Sequence, residues 1–517
     1  MESTQHAGKP ATCQEFASSR RFAAWRSLAI CYLQKPTFVF GGLAILLATQ
    51  ILPWWGPTPD ASCYLSMARS VADGGPMTNL GSPKLHYAPG YAILISPAFL
   101  VSERPFWLLT LMQWGFAMLL MWGVYRWATR WFPAGALWIT ALVMANVGFW
   151  VLARLTLSEI AFMAALMGNA NALDRLSAAK TRRETIGWTL VAALGVVGLS
   201  MIRPVGIFIV AGYGCVTLRA AFVRQIPWLR ALATTLAIGL PATAAVLAFI
   251  SYERNMAAAL GPNASSTYLD EFRRPEMTLA GQLLEGARLR ISEFGRMTVP
   301  GMNKAYARTG QWLNVNMFIY IPLFIALAWS WWQIARRECS ALFWLLPFYT
   351  ALYLGYPSEQ GTRYMIPLLP IVAACVWRLA CLAPRERQPR ILGCLVALHL
   401  CVTLGTSLTE TAKLYGQQSL WADVDALMVE ISRSPQPLVT CGAPHGIWEL
   451  SQVSGNRPVE WIGDPKQLTN YHGWVISAVD YDLGPGFVET ARAGKLKLMT
   501  RDDTQTAKNG DGGTAIK

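Results

Sequence analysis

The chain has 517 residues, 53% of them hydrophobic and 14% charged, with 44 Lys and Arg against 30 Asp and Glu for a formal charge of +14. Soluble domains carry about 25% charged residues, and several separate apolar stretches here reach the roughly 20 residues that a bilayer crossing needs. This excludes an ordinary soluble enzyme, a disordered chain and a small disulfide scaffold, and it defines a polytopic α-helical membrane protein. The positive charge points to cytoplasmic loops and to membrane lipids with anionic head groups, and no nucleic-acid partner is expected. The ten Cys contain no CxxC pair, so neither a zinc or iron–sulfur site nor a disulfide framework is expected.

Residues 1–35 carry Lys9, Arg20, Arg21, Arg26 and Lys35 and read as a cytoplasmic segment; the first apolar run starts too late and is too long for a cleaved leader. Spans are predicted near 36–55, 106–125, 134–150, 156–170, 187–202, 204–219, 231–250, 313–333, 341–357, 364–382 and 391–408, about eleven in all. With the N-terminus inside, Arg126 and Arg130, Arg175 to Arg183, Arg219 to Arg230, Arg336 and Arg337, and Arg378 to Arg390 all fall in cytoplasmic segments, as the positive-inside rule requires. The membrane domain then covers 36–408, with long external loops at 56–105 and 251–312. An extracytoplasmic α/β domain is predicted over 409–501, with an amphipathic helix at 419–433, a strand at Leu438–Cys441, a helix near 445–453 and strands at 474–479 and 495–498. Residues 502–517 read as a flexible tail.

Four charged places fall on the outer face in this topology. Asp60 follows the first span in Pro57-Thr58-Pro59-Asp60-Ala61-Ser62-Cys63-Tyr64. It is placed to cap a helix over 61–73, or to serve as a base at the membrane surface. In that helix Tyr64 belongs to the apolar face, and Arg69 faces polar surroundings. Lys84 and His86, in Lys84-Leu85-His86-Tyr87-Ala88-Pro89-Gly90-Tyr91, are candidates to meet a lipid phosphate, and Tyr87 could equally belong to an aromatic belt. Glu159 lies about one turn into the fourth span, five residues after Arg154. A carboxylate there must face the protein interior and be paired. Arg203 sits between two apolar runs with almost no loop, where snorkelling is the plainer account. Arg363, after Glu359 and before Tyr364, precedes a span with two prolines, which implies a broken helix beside a cavity.

A carboxylate can take a proton from an attacking hydroxyl, and an Arg or Lys can hold the phosphate of a leaving group. This pattern resembles the membrane glycosyltransferases of the GT-C fold, nearest the branch with the protein O-mannosyltransferases and the lipid A aminoarabinose transferase. Pro59-Asp60-Ala61-Ser62-Cys63-Tyr64 is similar to the family's catalytic Asp motif, with Ala61 where a second acid is common. His86-Tyr87-Ala88-Pro89-Gly90-Tyr91 is similar to its His/Tyr-x-Pro loop. Glu159 matches a recurring acidic position, and Arg363-Tyr364-Met365-Ile366-Pro367-Leu368-Leu369-Pro370 matches its Arg-Tyr-x-x-Pro-x-x-Pro signature.

The resemblance implies an inverting glycosyltransferase that moves a monosaccharide from a polyprenyl-phosphate donor, undecaprenyl-linked in a bacterium, to an external glycan, lipid or protein hydroxyl. It makes Asp60 and Glu159 the catalytic carboxylates, and places the donor phosphate against Arg363 with Lys84, His86 or Arg203. Tyr64, Arg69, Tyr87, Arg154, Glu359 and Tyr364 would line the pocket. No essential cofactor is expected. A divalent ion such as Mg or Mn bridging Asp60 and Glu159 is the variant left open, because hard cations take oxygen ligands. The implied setting is a bacterial inner membrane with the C-terminal domain periplasmic. A transporter, or a flippase or ligase for polyprenyl-linked glycans, is the rival reading. Convergence of Asp60 and Arg363 at a groove mouth separates the enzyme from a transporter.

Overall fold

The structure, a computed structural model, describes residues 35–52, 56, 58–75, 77–79, 87–260, 277–300, 315–337, 340–356, 362–432, 436–444, 446–455, 459–468, 471–484 and 486–501. Lys84, His86, Glu359 and the tail from 502 lie outside the described residues, as does the expected N-terminal segment apart from Lys35. The chain divides into two units, Met1–Thr49 and Gln50–Lys517. The helix Pro36–Ala48 belongs to the first, and every other element belongs to the second.

Among the described residues, six helices are long and apolar enough to cross a membrane: Phe106–Trp131, Arg182–Ile202, Pro204–Phe222, Trp228–Met256, Asn316–Ala335 and Gln388–Ile431. A seventh candidate is the pair Ala136–Met144 and Val147–Arg154, bent by 54°. Asn146 makes that bend. Its side chain accepts from the Gly148 amide at 2.9 Å, starting the second half afresh, and donates to the Met297 carbonyl at 2.7 Å.

The expectation of about eleven spans thus meets six or seven elements of full spanning character. Physical causes account for the difference. Pro36–Ala48, Ala341–Leu354 and Ile366–Ala380 are short apolar helices, the last two with prolines inside them. Ser158–Ala178 has 21 residues, but Glu159, Asn169, Asn171, Asp174 and Arg175 dilute its apolar character.

The described parts of the two expected external loops are largely helical. The first contains Pro59–Ala72 and Pro89–Ile95. The second is narrowed by Trp228–Leu260 and holds the amphipathic helix Leu279–Thr298, whose Gln282, Gly286, Leu289, Glu293 and Met297 repeat at helical spacing and are buried. The last expected span and the expected helix at 419–433 are one helix, Gln388–Ile431. The polar stretch between them consists largely of good helix formers, and Lys413 bonds Glu410 at 2.7 Å across a turn, so nothing breaks the helix at residue 409.

After this helix the described residues form five strands: β1 (Leu438–Cys441), β2 (Val459–Ile462), β3 (Trp474–Ala478), β4 (Phe487–Ala493) and β5 (Leu496–Arg501). Their spatial order is β2-β1-β3-β5-β4. β1 pairs parallel with β2 and β3, whereas β5 runs antiparallel to β3 and β4. Parallel neighbours need a crossover, and Ile447–Gly455 supplies it between β1 and β2. Val439, Cys441, Leu468, Val475, Leu483 and Met499 form the core. This part of the chain touches the helix bearing Asp60, where Ser62 Oγ donates to Gln452 Oε1 at 3.2 Å, and the segment before Phe106, where Arg104 bonds Asp425 at 2.6 Å and Ser454 at 3.1 Å. β2 and β4 had no clear signal in the sequence, because both are short or largely exposed.

Phe208–Phe222 and Ala341–Leu354 approach so closely that a Cβ at Gly212 would strike the Ala341 carbonyl and the Leu345 amide. Gly212→Ala is therefore expected to cost about 1–3 kcal/mol through overpacking, read as a lower Tm in detergent. Gly115→Ala, where a Cβ would meet open space, is the control and should hold or raise Tm.

Candidate active site

The site is assembled from chain breaks at helix ends. Thr58 is extended (φ −142°), Pro59 opens the helix, and Thr58 Oγ1 accepts from the Ala61 amide at 3.3 Å. Thr58, not Asp60, is therefore the cap, which leaves the Asp60 carboxylate to reach other elements. Glu159 is likewise the second residue of its helix, behind extended Leu157, rather than a full turn inside it. Both carboxylates thus sit in a first helical turn, where the helix dipole favours negative charge. Arg203 ends Arg182–Ile202 in an extended conformation (φ −149°), which the following Pro204 favours. Arg363 lies in the turn that closes from the Ile366 amide onto the Thr362 carbonyl at 2.9 Å.

These four side chains meet. The Arg363 guanidinium donates from Nε to Glu159 Oε1 and from Nη1 to Asp60 Oδ2. Arg203 Nη1 donates to the same Glu159 oxygen at 2.9 Å. Asp60 also accepts from the Tyr87 hydroxyl. Exposure rises in order: Glu159 0%, Arg203 12%, Arg363 16% and Asp60 28%. Asp60 is therefore the carboxylate that a bound molecule can reach, and Glu159, with no surface, acts only through its arginines. Burial, then the adjacent Asp60 charge, push the Tyr87 phenol well above its ordinary range, so it remains a hydrogen-bond donor.

Aromatic rings fix the arginines and the loop. Tyr64 donates to Ser158 Oγ at 3.3 Å and packs edge-on against Tyr87 and Tyr91, with centroids 5.1 and 4.9 Å apart. Gln113 donates to the Tyr91 hydroxyl and, at 2.9 Å, to the Leu157 carbonyl just ahead of Glu159. Arg203 lies over Tyr364 at 5.6 Å, and Tyr364 stacks on Tyr353 at 4.9 Å. The Pro89-Gly90 start of the next helix packs on the end of Arg182–Ile202, where a Cβ at Gly90 would collide with the Met201 carbonyl. That close approach is what glycine permits.

A cavity of about 520 Å³ opens on this cluster, lined by Asp60, Arg363, Arg296, Thr58, Thr362 and apolar residues of 148–157. An apolar groove of about 390 Å³ lies next to it, lined by residues including Met297, Val372, Val376, Leu379, Ile391 and Leu395. Consecutive residues divide the two: Arg296 faces the cavity and Met297 the groove.

Asp60, Tyr64, Tyr87, Glu159, Arg203, Arg363 and Tyr364 thus come together. Arg69 and Arg154 pair elsewhere, each at 3.8 Å, with Glu103 and Glu410. Sequence reasoning missed Arg296, Ser158, Tyr91, Gln113 and Tyr353. Arg296 had one legible signal, the amphipathic period of Leu279–Thr298; the others are ordinary residues in sequence. Among the described residues no group of three or more His, Cys, Asp or Glu side chains comes together. The two carboxylates expected to share a divalent ion instead share the Arg363 guanidinium, so their arrangement does not fit a bridging metal.

The bundle has the GT-C fold of membrane glycosyltransferases, the class that the sequence motifs resembled. The chain is similar to the crystal structure of ArnT from Cupriavidus metallidurans bound to undecaprenyl phosphate, at 13% identity and a TM-score of 0.56, over 90% of this chain and 98% of that one. It is also similar to the apo state of the same ArnT, at 13% identity and a TM-score of 0.55, over 90% and 97%. An oligosaccharyltransferase from Archaeoglobus fulgidus aligns at 13% identity and a TM-score of 0.49, over 87% and 70%. No family model and no curated protein matches the sequence.

Removing one partner of a buried ion pair costs about 3–5 kcal/mol. Glu159→Gln should therefore lower Tm sharply. The double variant Glu159→Gln/Arg203→Met should recover part of the loss, because Arg363 keeps Asp60 and the orphaned guanidinium is gone. A double-mutant cycle in thermal unfolding measures this.

Proposed function

We propose that the protein is an inverting glycosyltransferase that moves a monosaccharide from a polyprenyl-phosphate donor to an acceptor hydroxyl. The observation that carries this reading is Asp60, partly exposed and held by Arg363 and Tyr87, in a cavity that also contains Arg296 and adjoins an apolar groove. The fold it shares with an ArnT bound to undecaprenyl phosphate supports the choice of donor.

Charge balance assigns the parts. Asp60 and Glu159 offset Arg363 and Arg203, so the cluster alone is neutral. An anionic phosphate needs a further cation, and Arg296 on the cavity wall supplies it. The donor phosphate then lies between Arg296 and Arg363, and the prenyl tail follows the groove. Asp60 takes the proton from the acceptor hydroxyl as its oxygen bonds to the anomeric carbon. The bond from that carbon to the phosphate oxygen breaks, and its electron pair leaves with polyprenyl phosphate. One displacement inverts the anomeric centre and needs no sugar–enzyme intermediate. Glu159 and Arg203 position Arg363 and touch no substrate.

Six full-length helices and the bent pair account for up to seven crossings, and the proposed topology counts the shorter helices Ala341–Leu354 and Ile366–Ala380 and the polar-diluted Ser158–Ala178 as further ones. The basic residues clustered at 126–130, 175–183, 219–230, 336–337 and 378–390 favour a cytoplasmic side for those segments, and in this reading the site and the α/β domain face the periplasm of a bacterial inner membrane. The acceptor hydroxyl belongs to a glycan, a lipid or a protein presented there.

Purified protein in lipid, offered radiolabelled polyprenyl-phosphate sugars and a mixed envelope extract as acceptor, should release polyprenyl phosphate. Asp60→Asn should lose at least about 100-fold in rate, and equal release by the variant removes Asp60 as the base. Arg363→Ala and Arg296→Gln should each weaken donor binding. Val376→Trp, on the groove wall, should raise KM for a long-chain donor more than for a ten-carbon one. An equal rise for both chain lengths places the tail elsewhere.

A further inference from the structure

A second polar cavity, of about 300 Å³, lies away from the site just described. The helix Ser158–Ala178 relates the two. Glu159 is at one end, and Asp174, Leu176, Ser177 and Ala178 at the other end line the second cavity. Fifteen residues at 1.5 Å each separate Glu159 from Asp174 by about 22 Å, most of a bilayer core.

The lining is suited to an anion. Arg130 and Arg230 are its cations, and Tyr213, Thr217, Thr234 and Gln225 add neutral hydrogen-bonding groups. Its one carboxylate, Asp174, is turned to protein donors: Oδ2 accepts from the Trp131 indole at 2.6 Å and from the Ser340 hydroxyl at 3.4 Å. Arg230 Nη2 anchors on the Ala179 carbonyl at 2.8 Å and Thr185 Oγ1 at 3.0 Å, which fixes its guanidinium at the wall. Arg130 lies beside the Trp131 ring at 5.7 Å, and its charge also interacts with Asp174.

The surroundings favour a lipid over a free ion. The turn that supplies Gln225 and Ile226 is flanked by Phe222 and Trp228, packed edge-on at 4.7 Å, and both rings are exposed. Leu218 and Leu229 nearby in sequence are exposed as well. Exposed aromatic and aliphatic side chains beside a basic pocket suit acyl chains next to a held head group. The same turn contains Arg224 at φ 58°, the one non-glycine residue with positive φ among the described residues.

We propose that this cavity binds the phosphate head group of an anionic phospholipid, in the leaflet opposite the Asp60 site. Arg130 and Arg230 hold the phosphate, Tyr213 and the threonines hydrogen-bond it or its glycerol, and the acyl chains run past Phe222, Trp228 and Leu229. The proposal stands independently of the sugar-transfer reading.

The test uses the full-length protein and native mass spectrometry, with phosphatidylglycerol, phosphatidylcholine and inorganic phosphate as separate probes. Phosphatidylglycerol should remain bound and raise Tm, and phosphatidylcholine should do neither. Arg130→Gln should weaken phosphatidylglycerol binding about fivefold, the effect of one basic residue near an anionic lipid, and Arg130→Lys should restore most of it. Arg130 is exposed, so these variants keep the fold; Arg230→Lys, which loses two anchoring bonds, is the second probe and should also weaken binding. Equal affinity for phosphatidylglycerol in wild type and Arg130→Gln overturns the proposal. Equal stabilisation by inorganic phosphate overturns the lipid assignment and leaves a free-anion site. Donor binding at the Asp60 site should be unchanged in Arg130→Gln.

Discussion

A carboxylate with no exposed surface cannot keep its charge alone, and Glu159 is such a group. Its solution is two guanidinium groups on one oxygen, from Arg203 and Arg363. That shared oxygen ties three separate parts of the bundle together: the start of Ser158–Ala178, the end of Arg182–Ile202 and the turn before Ile366. Arg363 then reaches outward to Asp60 and brings in a fourth, the helix Pro59–Ala72. The orientation of the outer carboxylate therefore depends on the burial of the inner one.

This arrangement separates structural duties from chemical ones. The inner oxygen and Arg203 are covered, braced by Tyr364 and Phe162. The outer pair, Asp60 and Arg363, opens on the cavity together with Arg296. A lone carboxylate at a membrane surface would be a cap or a solvated charge. Here Thr58 has taken the capping role, so Asp60 remains available at a polar cavity whose neighbour is an apolar groove. A ligand with a charged head and a long apolar tail matches both compartments.

The second cavity, at the other end of Ser158–Ala178, shows how differently the same residue types can be used. Asp174 is as covered as Glu159 but accepts from an indole and a hydroxyl instead of from arginine. Of the arginines around it, Arg230 is anchored on a backbone carbonyl and a threonine hydroxyl, and Arg130 lies beside the Trp131 ring. Two polar regions on one helix, one closed by internal ion pairs and one open in its charge balance, give that helix different surroundings at its two ends.

Much of this was legible from the chain. Composition and apolar run length determined a helical membrane bundle, because no soluble core needs so many separate runs of that length. The cost of charge in an apolar span singled out Asp60, Glu159, Arg203 and Arg363, which the structure joins in one network. Arg69, read as facing polar surroundings, and Arg154, five residues before Glu159, found Glu103 and Glu410 instead, because partner choice between separate segments leaves no local trace. The role of Thr58, the continuity of Gln388–Ile431, the bend at Asn146 and the place of Arg296 were likewise decided by packing. Local pattern says which side chains cannot be left alone in a membrane; only the tertiary structure says which ones answer them, since that depends on distances between segments far apart in the chain.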